Sequence, residues 1–123
     1  MEGQIILERC RSALGCHRAV EFTLTVVSYA YDVSVDEMRA ATRRCPEVAF
    51  ARQIAMYLTH VVYRLSLTEV AAAFGRDRTT ASHACHVIED LRDSTPFDRH
   101  LARLERILSE GAYIDSDRVE ARP

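Results

Sequence analysis

Lysine and tryptophan are both missing from the 123 residues, and glycine and proline are scarce, at four and three. So little punctuation leaves few turns, which argues against a many-stranded fold and for helices. No apolar run approaches the roughly 18 residues that cross a bilayer, so no membrane partner is expected. The N-terminus lacks a basic stretch followed by an apolar segment and a small-residue cleavage site, which makes an unexported, cytosolic protein the expectation. The four cysteines, Cys10, Cys16, Cys45 and Cys85, show no C-x-x-C spacing and read as reduced thiols serving as small hydrophobes. The pairs Cys16-His17 and Cys85-His86 do not stand at finger or ribbon spacing, so neither a metal nor another cofactor is expected.

What is present is arginine, unevenly spread. The formal charge of −2 does not advertise a nucleic-acid protein, yet residues 39–92 carry eight arginines against five acids, while the segments on either side are net acidic. Arginine is the better fork for phosphate and guanine, so the basic middle is where a polyanion would be met.

Helical spacing runs through most of the chain, and the fold class is all-α, a compact domain of five to six helices. Ile6, Cys10, Ala13 and Leu14 predict a first helix that Gly15 ends. Val20, Leu24, Val27 and Tyr31 predict a second. Ser34 with Glu37 reads as a capping box opening a short helix through about Thr42. The stretch "RRCPEVAF" reads as a loop, because Pro46 pushes Cys45 away from helical angles. In "AFARQIAMYLTHVVYRL", Ile54, Tyr57, Leu58, Val61 and Val62 form an apolar face that Arg52, Gln53 and His60 leave. Ser66 with Glu69 makes another capping box before "LTEVAAAF". A helix from about Arg78 to Leu91 follows the turn at Gly75, and a last one carries Phe97, Leu101, Leu104 and Leu108. Residues 1–18 form an N-terminal extension, expected to be helical, 19–110 the domain, and 111–123 a polar, frayed tail.

A short helix, a glycine-bearing turn and a second helix make a helix-turn-helix. Ala71, Ala72 and Ala73 offer the small residues a close crossing needs, with Val70 and Phe74 as anchors. Ala81, Ala84, Cys85, Ile88 and Leu91 are expected to face inward, leaving Arg78, Thr79, Ser82, His83 and His86 outward near the end that enters a major groove. Arginine can read guanine through two hydrogen bonds, and threonine can meet a base edge or thymine's methyl. Asp77 can cap the helix or accept from cytosine. Ser66, Arg76 and Ser82 are further candidates for backbone contacts. The bland alternative is a helix start whose polar residues merely cap it and face water.

The segments "RQIAMYL" and "LSLTEVAAAFGRDRTTASHACHVIEDL" resemble the C-terminal DNA-binding domain of the bacterial replication initiator DnaA. The likeness can be followed from about Val20 to Ser109. It implies that Asp77, Arg78, Thr79 and Thr80 contact bases of double-stranded DNA. It further implies that His83 meets a phosphate or groove wall, that Arg52 and Gln53 touch the backbone, and that Arg44, with Arg43 beside it, reaches the minor groove. A solvated helix C-terminus is the alternative for Arg43 and Arg44. The chain departs from the pattern in four places. The turn has one glycine where the family has two, Arg78 replaces the signature histidine, Val87 replaces a lysine, and Glu47 and Phe50 interrupt the basic loop. No Walker A motif occurs, so no nucleotide is expected and the chain reads as a stand-alone DNA reader that is not itself an initiator.

The leading expectation is therefore a small, nucleoid-associated, sequence-specific DNA-binding regulator of transcription or of replication initiation. The alternative is a protein adaptor that reuses the same surface with little DNA affinity. A homodimer or a protein partner could engage the N-terminal segment through Ile5, Ile6, Leu7 and Leu14. An enzyme is not expected, because Cys85, though flanked by His83 and His86, falls on the inward face.

Overall fold

The computed structural model describes residues 13–40 and 45–121, which form six helices: α1 Ala13–Tyr31, α2 Val35–Arg39, α3 Pro46–Tyr63, α4 Leu67–Phe74, α5 Arg78–Leu91 and α6 Thr95–Ala121. The all-α class and the helix-turn-helix are as expected. Most of the N-terminal extension, including Ile5, Ile6, Leu7 and Cys10, lies outside the described residues, as do Arg43 and Arg44.

Three boundaries differ from expectation, each for a local reason. The expected break at Gly15 is absent, because α1 is already under way at Ala13 and continues through it. A lone glycine costs a helix only about 1 kcal/mol, which packing along the rest of α1 offsets. The expected loop at "PEVAF" is helix, since Pro46 stands at the first position of α3, where its missing N–H costs nothing. Cys45, just before it, is extended as expected. The expected tail is also helix, because α6 runs past Gly111 to Ala121. Gly111 is where that helix passes Phe22 of α1, and a Cβ there would collide with the ring.

α3 is the centre of the domain. Ala51, Ile54, Ala55, Met56, Tyr57, Leu58 and Tyr63 are all buried, so the helix is covered almost all round. α1, α2, α4, α5 and α6 each pack on it. Val20, Leu24 and Val27 supply α1's side of the core, and Leu101, Leu104 and Leu108 supply α6's. Polar groups in this core are satisfied by backbone carbonyls: Thr59 donates to the Ala55 carbonyl at 2.9 Å, and the Tyr63 hydroxyl donates to the Leu108 carbonyl of α6 at 2.9 Å.

Arg92 ties the far side together. Its guanidinium meets Asp98 at 2.6 Å and both Glu105 oxygens at 3.0 and 3.1 Å, and donates to the Tyr57 hydroxyl at 3.1 Å. Its hydrogen bonds to Glu105 first, then to Asp98 and Tyr57, raise its pKa above the ordinary arginine value despite partial burial. The place beside α3 at the end of α5 is thus taken by Arg92, and Leu91, expected inward, is 42% exposed.

The two helices of the motif meet at Gly75. Ser66 and Glu69 form a full capping box at the start of α4. Ser34 accepts from the Glu37 N–H at 3.0 Å at the start of α2, but no reciprocal backbone bond completes a box there. At the end of α4, the Gly75 and Arg76 N–H groups bond back to the Ala72 and Ala71 carbonyls, with Gly75 at φ 63°. A Cβ on Gly75 would meet nothing within 4 Å, so only backbone strain opposes a side chain there. Gly75→Ala should therefore destabilise the domain by about 1 kcal/mol in denaturant unfolding, and Gly75→Asn by less. Equal stability of all three proteins would contradict this account of the turn.

Candidate nucleic-acid interface

α5 is held on α3 and α4 by small residues. Ala81, Ala84 and Ile88 are buried, facing Val70, Ala71 and Phe74 in the same core. Ala73 is half-buried and Ala72 exposed, so Ala71 alone of the alanine run is fully at the crossing. Cys85 is half-buried, and Val87 packs partly against the core.

This phase turns the first two turns of α5 outward. Asp77, Arg78, Thr79, Thr80 and His83 are exposed, and Ser82 is half-buried. His86 is exposed one turn further on, with its Nδ1 3.0 Å from the Ser82 carbonyl. The helix start differs from those of α2 and α4 in one respect. Asp77 has N-cap geometry, φ −73° and ψ 154°, yet its side chain makes no capping hydrogen bond. The N-caps of α2 and α4 do make theirs. The first N–H groups of α5 and the Asp77 carboxylate thus remain available, where an N-cap aspartate ordinarily satisfies one of those donors.

Charge is polarised along α5. Arg76 and Arg78 stand with Asp77 at its start, whereas Glu89, Asp90 and Asp93, all exposed, stand with the half-buried Arg92 at its end. Acids at a helix C-terminus oppose the macrodipole, and here they add negative charge to the end of α5 away from Arg76 and Arg78.

Two of the expected contact residues are engaged within the protein. Arg76 is half-buried and donates to the Ala40 carbonyl at 2.8 Å. Arg52, expected to leave the apolar face, is 7% exposed, with Nε donating to the Met38 carbonyl at 2.7 Å. Burial, and then the charge of Arg76, lowers the Arg52 pKa, though arginine stays charged regardless. Gln53 is half-buried beside it, and Ser66 is exposed at the start of α4. Arg39, which no sequence pattern marked, donates to the Ala73 carbonyl at 3.3 Å and pairs with Glu21 at 3.0 Å. Its partners lie 34 and 18 residues away, beyond the reach of any local spacing rule.

A polar, exposed helix start on the second of two helices, joined through a left-handed glycine, defines a helix-turn-helix domain. The family described as "Bacterial dnaA protein helix-turn-helix" matches residues 20–88. The chain is similar to the chromosomal replication initiator protein DnaA of Nostoc punctiforme, 40% identical over 78% of this chain and 20% of that protein. It is also similar to that of Desulfotalea psychrophila, 32% identical over 94% of this chain and 22% of that protein. A crystal structure described as a DNA replication initiation factor superposes with a TM-score of 0.71 at 30% identity, covering 78% of this chain and 30% of that one. The chain belongs to the family of bacterial DnaA helix-turn-helix domains. It spans about a fifth of the length of the DnaA proteins it matches.

The thiols do not form a reactive centre among the described residues. Burial, and then the nearby Glu89 carboxylate, pushes the Cys85 pKa up to about 11. Burial also raises that of Cys16. Cys45 is exposed, 3.0 Å from a Glu47 oxygen. A maleimide at pH 7.5 should therefore label Cys45 at least roughly tenfold faster than Cys85, read by peptide mass mapping. Fast, selective labelling of Cys85 would overturn its assignment as an inert core thiol.

Proposed function

We propose that this domain binds double-stranded DNA in a sequence-specific manner, with the start of α5 in the major groove. The observation that carries the reading is the outward, unpaired set Asp77, Arg78, Thr79 and Thr80 at a helix start with no side-chain cap. Arg78 and the two threonines read bases, and Asp77 accepts from a cytosine amino group. Arg76, Ser66, Ser82, His83 and Gln53 flank that set and position it on the sugar-phosphate ridges. Arg43 and Arg44 follow Ala40 in sequence and are assigned to the adjoining groove. Arg78, standing where the family signature has histidine, shifts preference toward guanine.

Family membership supports a place in the control of replication initiation, and transcription control through the same contacts is the companion reading. Neither requires catalysis by this domain, a cofactor or a bound nucleotide. The work would be done in the cytoplasm, at the nucleoid. A protein-adaptor role is favoured by one observation, the half-buried Val87 where the family signature has a lysine. A homodimer through the N-terminal segment would give the reader two half-sites.

Selection of bound duplexes from a random pool should return a motif containing guanine. Arg78→Ala should then relax preference at one position, costing about 1–3 kcal/mol on the selected duplex. With Arg43, Arg44, Arg76 and Arg78 as its cations at the DNA, the slope of log affinity against log salt should be no steeper than about −4. Enrichment of no motif, with no duplex retained at low salt, would favour the adaptor.

A further inference from the structure

The carbonyls at the end of α2 accept hydrogen bonds from two arginines that belong to other elements. Arg52, on α3, donates to Met38 at 2.7 Å and reaches Ala40 at 3.4 Å, while Arg76, in the turn before α5, donates to Ala40 at 2.8 Å. α2 has only five residues, so its last carbonyls have no partners within the helix. Cations suit such an end, but two guanidinium groups on one carbonyl also repel each other, and the charge of Arg76 is felt at Arg52. With the Nε of Arg52 committed to Met38 and the residue 7% exposed, little of it is left for an outside phosphate.

We propose that Arg52 and Arg76 act together as positioning residues for DNA recognition. In this clamp Arg52 ties the end of α2 to α3 and Arg76 ties it to the turn that launches α5, so that Ala40 and the reading helix keep one fixed relation. Arg52 acts through the Met38 and Ala40 carbonyls and makes no phosphate contact of its own. This rests on the DNA-binding reading above. It changes the role of Arg52 within that reading from a point of charge to a geometric fork. A lysine cannot replace it, because one ammonium lacks the planar spread of donors that spans two carbonyls.

The test uses the full chain and the duplex selected from the random pool. Arg52→Lys, Arg52→Gln, Arg76→Gln and the double Arg52→Gln/Arg76→Gln variant are compared by affinity, by thermal melting, and by amide hydrogen exchange without DNA. The clamp predicts that Arg52→Lys loses about as much affinity as Arg52→Gln, on the order of tenfold for a lost charged hydrogen bond. It predicts that the double variant is little worse than the poorer single one, because both act on the same segment. It also predicts faster exchange near Met38–Ala40 in each single variant. Arg76→Gln, at a half-exposed site, carries the test if the Arg52 variants do not fold. Near-complete rescue by Arg52→Lys, fully multiplicative losses, or unchanged exchange in Arg76→Gln would overturn the clamp. Failure of the unaltered chain to bind any duplex would instead sink the DNA-binding reading, and this role with it.

Discussion

The close seating of α5 on α3 and α4 is the constraint from which the rest of the surface follows. Alanines at 71, 81 and 84, all buried, bring α5 close to its neighbours, with Ile88 fixing its far end. A larger residue at Ala81 or Ala84 would lift or rotate the helix. A rotation of one residue, about 100°, would carry Thr79 and Thr80 off the exposed face. The left-handed Gly75 sets where α5 starts, and alanine packing sets which side faces out. Together they turn a run of polar residues into a displayed row.

Arginine serves two separate purposes in this chain. Arg39, Arg52 and Arg92 are spent on the protein itself, on helix-end carbonyls or on carboxylates from other helices, and Arg76 gives one nitrogen to the Ala40 carbonyl. Arg78 has no described partner and stands at the mouth of α5. The total charge of −2 therefore says little about the binding surface. Glu21, Asp98 and Glu105 pair with structural arginines, Glu89, Asp90 and Asp93 stand at the far end of α5, and at the mouth Arg76 and Arg78 stand beside Asp77. The absence of lysine fits this economy, since each structural arginine uses more than one of its donors or spans more than one element.

Much of the fold was legible because its signals are local. Helical spacing located the apolar faces of α1 and α6 and most of that of α3, where Val61, expected inside, is 39% exposed, and Ser66 with Glu69 marked the start of α4. Pro46 misled because proline has two meanings, breaking a helix from inside and opening one at its first turn, and only the packing of Val48 and Ala51 decides between them. Gly15 and Gly111 misled for a related reason: both sit inside helices, and at Gly111 the small residue answers to Phe22 across the interface. At the candidate site, spacing alone brought out Arg78, Thr79 and His83. It could not show that Arg52 is buried, because its partners at Met38 and Ala40 are backbone carbonyls, which carry no signature in the side-chain pattern.

The most direct test is a titration of the isotopically labelled protein with a selected duplex, followed by amide and side-chain chemical shifts. The account predicts that the largest changes fall on Arg76 through His83, with Glu89 to Asp93 and the outer face of α6 nearly unmoved. Changes centred on α1 or α6, with the start of α5 silent, would contradict it.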